Sequence, residues 1–234
     1  MTMSCRNNNK IFCFGDSLTA GTSPPSLQNY PYALHLESTL NRAKNNNDNK
    51  GSSQSDQVEN YIVRHVGMPG WTATQLSSID GNLHSILDRI RSSTDTYPAI
   101  VIILAGTNDL AYCSNEDQCN NIFQAIKNIH TICHEKKIDT LALTIPPSAW
   151  QCQSNNDSSL YAKRINEMMK QWIREMEVEK SSGAVAHFAT FPIESYDSSS
   201  GFWSPDGLHF SPKGYEFIGE ALAPTVQRIL DSKN

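Results

Sequence analysis

Nowhere does the chain carry an apolar run approaching the roughly 20 residues that a membrane-spanning helix requires, so stable membrane insertion is not expected. Its opening stretch, Met1 to Lys10, is polar and Asn-rich and has no apolar core of signal-peptide length, which gives the cytoplasm as the expected address. No Cys-x-x-Cys, His-Glu-x-x-His or paired His/Cys spacing marks a metal site. Neither a Gly-x-Gly-x-x-Gly run nor a Gly-rich loop ending in Lys-Ser or Lys-Thr is present, which counts against a flavodoxin-like protein built to cradle a phosphate. A basic stripe is missing too. The 19 Lys and Arg are scattered, and against 24 Asp and Glu they leave a formal charge of −5, so nucleic acid is not the expected partner. No repeat recurs at solenoid periods. No Pro/Gly/Ser stretch splits the 234 residues into two self-sufficient cores, and one domain is expected over residues 1–234 with its core at 10–230.

Six cysteines are present, at Cys5, Cys13, Cys113, Cys119, Cys133 and Cys152. Without a secretion signal they are expected as reduced thiols, although a bridge between Cys113 and Cys119 stays open on spacing. Asn156-Asp157-Ser158 matches a glycosylation acceptor, which matters only in a secreted chain.

What is present is an alternation. Apolar runs that read as buried strands recur at Lys10–Gly15, Tyr61–Val66, Ala99–Ala105, Thr140–Ile145 and Ala184–Phe188. Between them, Pro31–Ala43, Thr72–Ile90, Cys119–Lys136, Leu160–Lys180 and Pro212–Leu230 place apolar residues at helical intervals, as in Ile122, Ile126, Ile129 and Ile132-Cys133. Strand alternating with helix predicts parallel strands covered on both faces, with ligands bound beyond the carboxyl ends of the strands. The stretch from Asn45 to Gln57 has no apolar residue to bury and reads as a mobile Asn/Ser-rich surface loop.

The first strand runs directly into Gly15-Asp16-Ser17-Leu18, which places a hydroxyl on a strand-to-helix turn. A serine hydroxyl becomes a nucleophile at neutral pH only beside a base, and that base needs a partner to hold its tautomer. Asp206 and His209, three residues apart across Gly207, can supply both roles from one loop. Their bland alternatives are a turn former after Pro205 and a polar residue ahead of the helix start at Ser211-Pro212. Acyl transfer also needs donors for an oxyanion. The candidates are the Ser17 N–H, the Gly70 N–H in Gly67-Met68-Pro69-Gly70-Trp71-Thr72, and the Asn108 side-chain amide in Gly106-Thr107-Asn108-Asp109. For Gly70 the alternative is a turn after Pro69, and for Asn108 an Asx turn ending the third strand. Asp109 reads as structural, in the manner of an N-cap.

Together the four segments resemble the SGNH (GDSL-type) hydrolase superfamily, block by block and in order from Ile11 to about Leu222. Gly15-Asp16-Ser17-Leu18 is similar to its first block, Pro69-Gly70-Trp71-Thr72 to its second, Gly106-Thr107-Asn108-Asp109 to its third and Asp206-Gly207-Leu208-His209 to its last. In the second block Gly67 competes with Gly70, which is preferred for its place before Trp71-Thr72. The resemblance implies a flavodoxin-like three-layer α/β/α sandwich around a parallel sheet of about five strands. It also implies ester hydrolysis through an acyl-serine, with Ser17 as nucleophile, His209 as base and Asp206 orienting it. Ser17, Gly70 and Asn108 then form the oxyanion hole, and neither metal nor cofactor is implied.

Residues flanking these blocks are expected to wall the substrate pocket: Leu18, Trp71, Leu110, Pro146, Pro147, Trp150, Phe202, Trp203 and Phe210. For the aromatics, core packing is the competing reading. No long apolar lid is visible, so short-chain, acetyl or aryl esters are the expected substrates. The alternatives are an acyltransferase, a carbohydrate acetylesterase, a thioesterase or lysophospholipase, and a non-catalytic binding protein.

Overall fold

The computed structural model describes residues 9–48, 60–153, 157–179 and 183–233. Five strands, β1 (Lys10–Asp16), β2 (Ile62–Met68), β3 (Ile100–Leu104), β4 (Asp139–Leu143) and β5 (Ala186–Ala189), run parallel in the order β2-β1-β3-β4-β5. β1 therefore lies inside the sheet, pairing Ile11 with Val63 on one side and with Ile100 on the other. The chain leaves β1 toward one edge and then returns to build on β3 toward the other, so strand order reverses beside the end of β1. In open parallel sheets that reversal opens the crevice where ligands bind. Ser17 is the residue that follows β1.

The inner strands β1 and β3 read as nearly continuous apolar runs because both faces are covered. With a two-residue side-chain period, neighbours in one strand serve opposite layers. Phe12, Phe14, Val101 and Ile103 pack with α3 (Ala73–Ser77), α4 (Leu83–Thr94), α5 (Glu116–Glu135) and α6 (Ser158–Glu179). Ile11, Cys13, Ile100, Ile102 and Leu104 face α2 (Tyr32–Asp48) and α7 (Pro212–Asp231), with Leu18 of the four-residue helix α1 (Ser17–Ala20) joining that side. The result is a three-layer α/β/α arrangement. Each large apolar side chain taken fully from water contributes about 1.5–3 kcal/mol, and both layers are filled with them.

Two expected elements differ. The pattern over Thr72–Ile90 is not one helix: it breaks into α3, a 3-10 turn at Ile79–Gly81, and α4. Ser78 is extended and Asn82 takes the left-handed conformation at φ 54°, neither of which a continuous helix accommodates. In the other direction, α2 runs on to Asp48, so residues 45–48 of the expected loop are helical and 49–57 lie outside the described residues. No Gly or Pro falls between Ala33 and Lys50, and the propensity cost of an Asn is under about 0.7 kcal/mol, so nothing stops the helix where its apolar pattern ends. Among the described residues, no helix is long and apolar enough to cross a membrane.

One polar group is sealed inside the α5 layer. His130 Nδ1 lies 2.7 Å from Thr140 Oγ1, His134 Nε2 lies 3.0 Å from the same hydroxyl, and the edge of Trp172 closes over the His130 ring at 5.2 Å. Burial, reinforced by His134, pushes the His130 ring down from 6.5 to about 3. The unfolded ring accepts a proton throughout that window and the folded ring refuses it. Stability contributed here therefore falls as pH falls, by ~1.4 kcal/mol per pH unit. His130→Phe, which keeps an aromatic against Trp172, is expected to lose about one proton's worth of this slope in urea unfolding between about pH 6 and about pH 4. An unchanged slope would show that His130 titrates normally in the folded chain.

Candidate active site

The turn leaving β1 is built to present one hydroxyl. Asp16 ends the strand and caps α1, its Oδ1 accepting from the Leu18 N–H at 2.9 Å, and Gly21 closes the helix with its N–H on the Ser17 carbonyl. Ser17 is therefore the first helical residue, and its own N–H is among those that a helix leaves without an internal partner. α1 sits against β2 because Gly67 has no side chain: a Cβ there would lie 2.2 Å from the Ala20 nitrogen and 2.4 Å from the Asp16 carbonyl oxygen. Gly70 is a glycine for a different reason. It takes φ +80°, and the space its Cβ would enter is open. Its N–H makes no hydrogen bond among the described residues.

Asn108 begins a 3-10 turn (Asn108–Tyr112) at the end of β3. Its side chain does not fold back on its own backbone as an Asx turn would. Its Nδ2 donates to the Trp71 carbonyl at 2.9 Å and reaches Asp16 Oδ2 at 3.4 Å, tying three stretches of chain together. Next to it, the Asp109 carboxylate accepts from the Ala73 N–H at 2.8 Å. Asp109 thus plays a structural part, but the N-cap of α3 is Thr72, and Asp109 adds an acceptor for the first N–H of that helix from another stretch of chain. Burial pushes the Asp16 carboxyl up to about 7, the Leu18 N–H opposing and nearby Asp109 reinforcing it.

The loop before α7 completes the arrangement. It is a compact reversal, bridged at Trp203 and Phe210 and closed by the Ser204 N–H on the His209 carbonyl at 2.8 Å. Within it, Asp206 Oδ1 accepts from the backbone N–H groups of Leu208 and His209, both at 3.0 Å, leaving Oδ2 for the ring. His209 Nδ1 lies 2.7 Å from Asp206 Oδ2, and its Nε2 lies 2.9 Å from Ser17 Oγ. Partial burial would raise the Asp206 carboxyl. The bonds from the His209 ring and from the two N–H groups outweigh it and hold the group below its ordinary value. A carboxylate, an imidazole and a hydroxyl thus stand in one hydrogen-bonded line across 192 residues of sequence. Such a line can take a proton from the hydroxyl as it attacks and keep the resulting imidazolium paired.

The family model described as GDSL-like Lipase/Acylhydrolase matches residues 11–222. The chain belongs to that family. As a GDSL-like acylhydrolase it is a carboxylic ester hydrolase. Solved structures share the fold at low identity. A psychrotrophic esterase, EstA from Pseudoalteromonas sp., is 16% identical with a TM-score of 0.61 over 95% of this chain and 99% of its own. A carbohydrate esterase family 3 protein from Talaromyces cellulolyticus is 15% identical at TM-score 0.59, covering 95% and 98%. A lipolytic protein of the G-D-S-L family from Desulfitobacterium hafniense is 17% identical at TM-score 0.59, covering 95% and 99%. Comparison with curated proteins gives no match.

Beside this line the acylhydrolase has a cavity of about 390 Å³, lined by Gly70, Thr107, Asn108, Ala111, Tyr112, Trp150, Asp206, Gly207 and Leu208. Of the expected pocket wall, Trp150 lies on this cavity. Leu18 and Leu110 are buried in the two core layers, and Pro146 is buried as well. Trp71 is half-buried against the α3–α6 layer and contributes its carbonyl to Asn108. Trp203 and Phe210 are also core residues: their rings meet at 4.5 Å beneath the loop, with Phe191, Tyr196 and Tyr215 around them. Phe202 stacks on Phe217 at 4.8 Å, and Pro147 lines a separate cavity of about 270 Å³ beyond β4 and β5. None of these residues except Trp150 lines the cavity of about 390 Å³. Thr107, Ala111, Tyr112, Gly207 and Leu208 also line it and were not among the expected wall residues; the 3-10 turn, with three residues per turn, brings Ala111 back over Asn108. Among the described residues, no group of three or more His, Cys, Asp or Glu side chains is placed to hold a metal ion.

The two glycines of the second block are separable by experiment. Gly67→Ala forces a Cβ into backbone and is expected to destabilise the fold by about 3 kcal/mol or more. Gly70→Ala has room and meets only the strain of its positive φ, about 1–2 kcal/mol, while intruding on the cavity. Urea unfolding beside ester turnover should therefore show Gly67→Ala as mainly a stability defect and Gly70→Ala as mainly a turnover defect. The reverse pattern would exchange their roles.

Proposed function

We propose that the chain hydrolyses short-chain, acetyl or aryl carboxylic esters through an acyl-serine intermediate on Ser17. The observation that carries this reading is the line from Asp206 Oδ2 to His209 Nδ1, 2.7 Å, and from His209 Nε2 to Ser17 Oγ, 2.9 Å. In the proposed cycle His209 takes the proton of Ser17 as its Oγ attacks the acyl carbon, and the imidazolium is stabilised by Asp206. His209 then returns the proton to the leaving alcohol. Water, deprotonated by the same ring, attacks the acyl carbon; the bond to Ser17 Oγ breaks, His209 returns the proton to that oxygen, and the acid leaves.

The Ser17 N–H, the Gly70 N–H and the Asn108 amide are proposed as the donors for the oxyanion. Gly70 and Asn108 line one cavity, which supports pairing them. One N–H of the Asn108 amide donates to the Trp71 carbonyl at 2.9 Å and the other reaches Asp16 Oδ2 only at 3.4 Å, so this second, weakly held N–H is the one offered to an oxyanion. The cavity of about 390 Å³ suits an ester of modest size, and its two aromatic residues, Tyr112 and Trp150, suit a flat or ring-bearing group. Carbohydrate esters are one such class, and a carbohydrate esterase is among the proteins that share this fold.

Hydrolysis of p-nitrophenyl acetate, butyrate, octanoate and palmitate, run beside Ser17→Ala, tests the reading. Turnover is expected to fall with chain length and to drop about 10⁴-fold or more in Ser17→Ala. Asn108→Ala is expected to lower kcat by about 10²-fold per folded molecule. Absence of Ser17-dependent hydrolysis on every ester would overturn the proposal. A normal kcat in folded Asn108→Ala would remove that residue from the oxyanion site.

A further inference from the structure

Cys113 and Cys119 meet in a place that ester hydrolysis does not use. Cys113 is the residue on which the 3-10 turn Asn108–Tyr112 ends, its N–H bonded to the Leu110 carbonyl, and it is half-buried. Cys119 is buried in the second turn of α5, within the α3–α6 core layer. Their sulfurs stand 3.3 Å apart in thiol–thiol contact. A covalent bond needs them closer by only about 1.3 Å. The intervening turn is already organised. The Asn115 side chain caps α5 by accepting from the Gln118 N–H at 2.9 Å, and Gln118 Oε1 accepts from the Ser114 N–H and hydroxyl at 2.7 and 2.9 Å. Tyr161 of α6 donates to the Ser114 carbonyl at 2.7 Å. The approach still required is small beside the reach of two cysteine side chains.

We propose that Cys113 and Cys119 close into an intramolecular disulfide by exchange with a small disulfide such as oxidised glutathione, and that the bond ties the turn carrying Asn108 and Tyr112 to α5. The chemistry assigns the two thiols different roles. Cys113, the more accessible, attacks as its thiolate one sulfur of glutathione disulfide, forming a mixed disulfide and releasing one glutathione thiolate. Burial and the bond to Cys113 raise the Cys119 thiol above its ordinary range, so it serves as the resolving group. Cys119 gives up its proton, attacks Cys113 Sγ and displaces the second glutathione. The protein loses two hydrogens and two electrons, and glutathione disulfide becomes two glutathione thiols.

The test uses the whole protein, incubated with glutathione disulfide, alkylated and mapped by peptide mass spectrometry. The expected product is a peptide pair linked through Cys113 and Cys119, reversed by dithiothreitol. It should melt about 5 °C higher than the reduced form and show slower amide exchange over residues 109–118. Cys152→Ser, which removes an exposed thiol, should leave the bond intact. Cys113→Ser and Cys119→Ser should each abolish both the linked peptide and the melting shift. Because mapping is done on the wild-type chain, a variant that fails to fold leaves the test decisive. Full alkylation of both cysteines after equilibration, a stable glutathione adduct on Cys113, or a link to another cysteine would overturn the proposal. A bond that forms without changing melting or exchange would refute the tie to α5.

Discussion

The Asn108 side chain is where three separate stretches of chain are held in register. Its amide spans from the Trp71 carbonyl to the Asp16 carboxylate, and Asp16 in turn caps the helix on which Ser17 sits. Asp16 is fully buried, and a buried carboxyl is stable only when its oxygens find donors. Without the Asn108 amide and the Leu18 N–H it would bear the desolvation penalty unopposed. The geometry around the serine is thus an outcome of hydrogen-bond satisfaction, with close backbone packing at Gly67 setting how near α1 can approach β2.

The Asp206–His209 pair obeys a different logic. It is local: two backbone N–H groups within three residues hold one oxygen of the Asp206 carboxylate. What has to be arranged globally is the approach of this loop to Ser17. Three contacts set it. The Ser204 hydroxyl meets the Ser23 hydroxyl at 3.1 Å, the Tyr215 hydroxyl donates to the Thr22 carbonyl at 2.7 Å, and Trp203 and Phe210 fill the space beneath. The aromatic residues beside the reacting groups therefore act as a foundation. They pack against one another beneath the loop that carries His209, and the cavity beside it is walled by smaller or more exposed residues.

The strands were legible because a parallel sheet covered on both faces demands unbroken apolar runs, and Ile100–Leu104 is entirely buried. Helices with steady periodicity, such as α5, were legible too. Boundaries were less so, because a helix ends where its backbone is forced to turn, as at Ser78 and Asn82, and not where its apolar pattern fades, as α2 shows. The pocket wall was the least legible part. A tryptophan next to a reacting residue has the same local sequence whether it faces a cavity or the core, and the choice depends on which elements pack over it. Trp150 lines the cavity and Trp203 the core.

Local chemistry in the sequence determined the strand–helix alternation, the residue types able to move a proton, the capping of α1 by Asp16 and the Asp206–His209 adjacency, because each rests on neighbours within a few positions. Only the tertiary structure decided the rest. It brought His209 across 192 residues to Ser17, engaged Asn108 with Trp71 and Asp16, separated the packing role of Gly67 from the open conformation of Gly70, and set Cys113 against Cys119. These are contacts between elements, and their distances follow from how layers pack on a sheet whose strand order reverses beside β1.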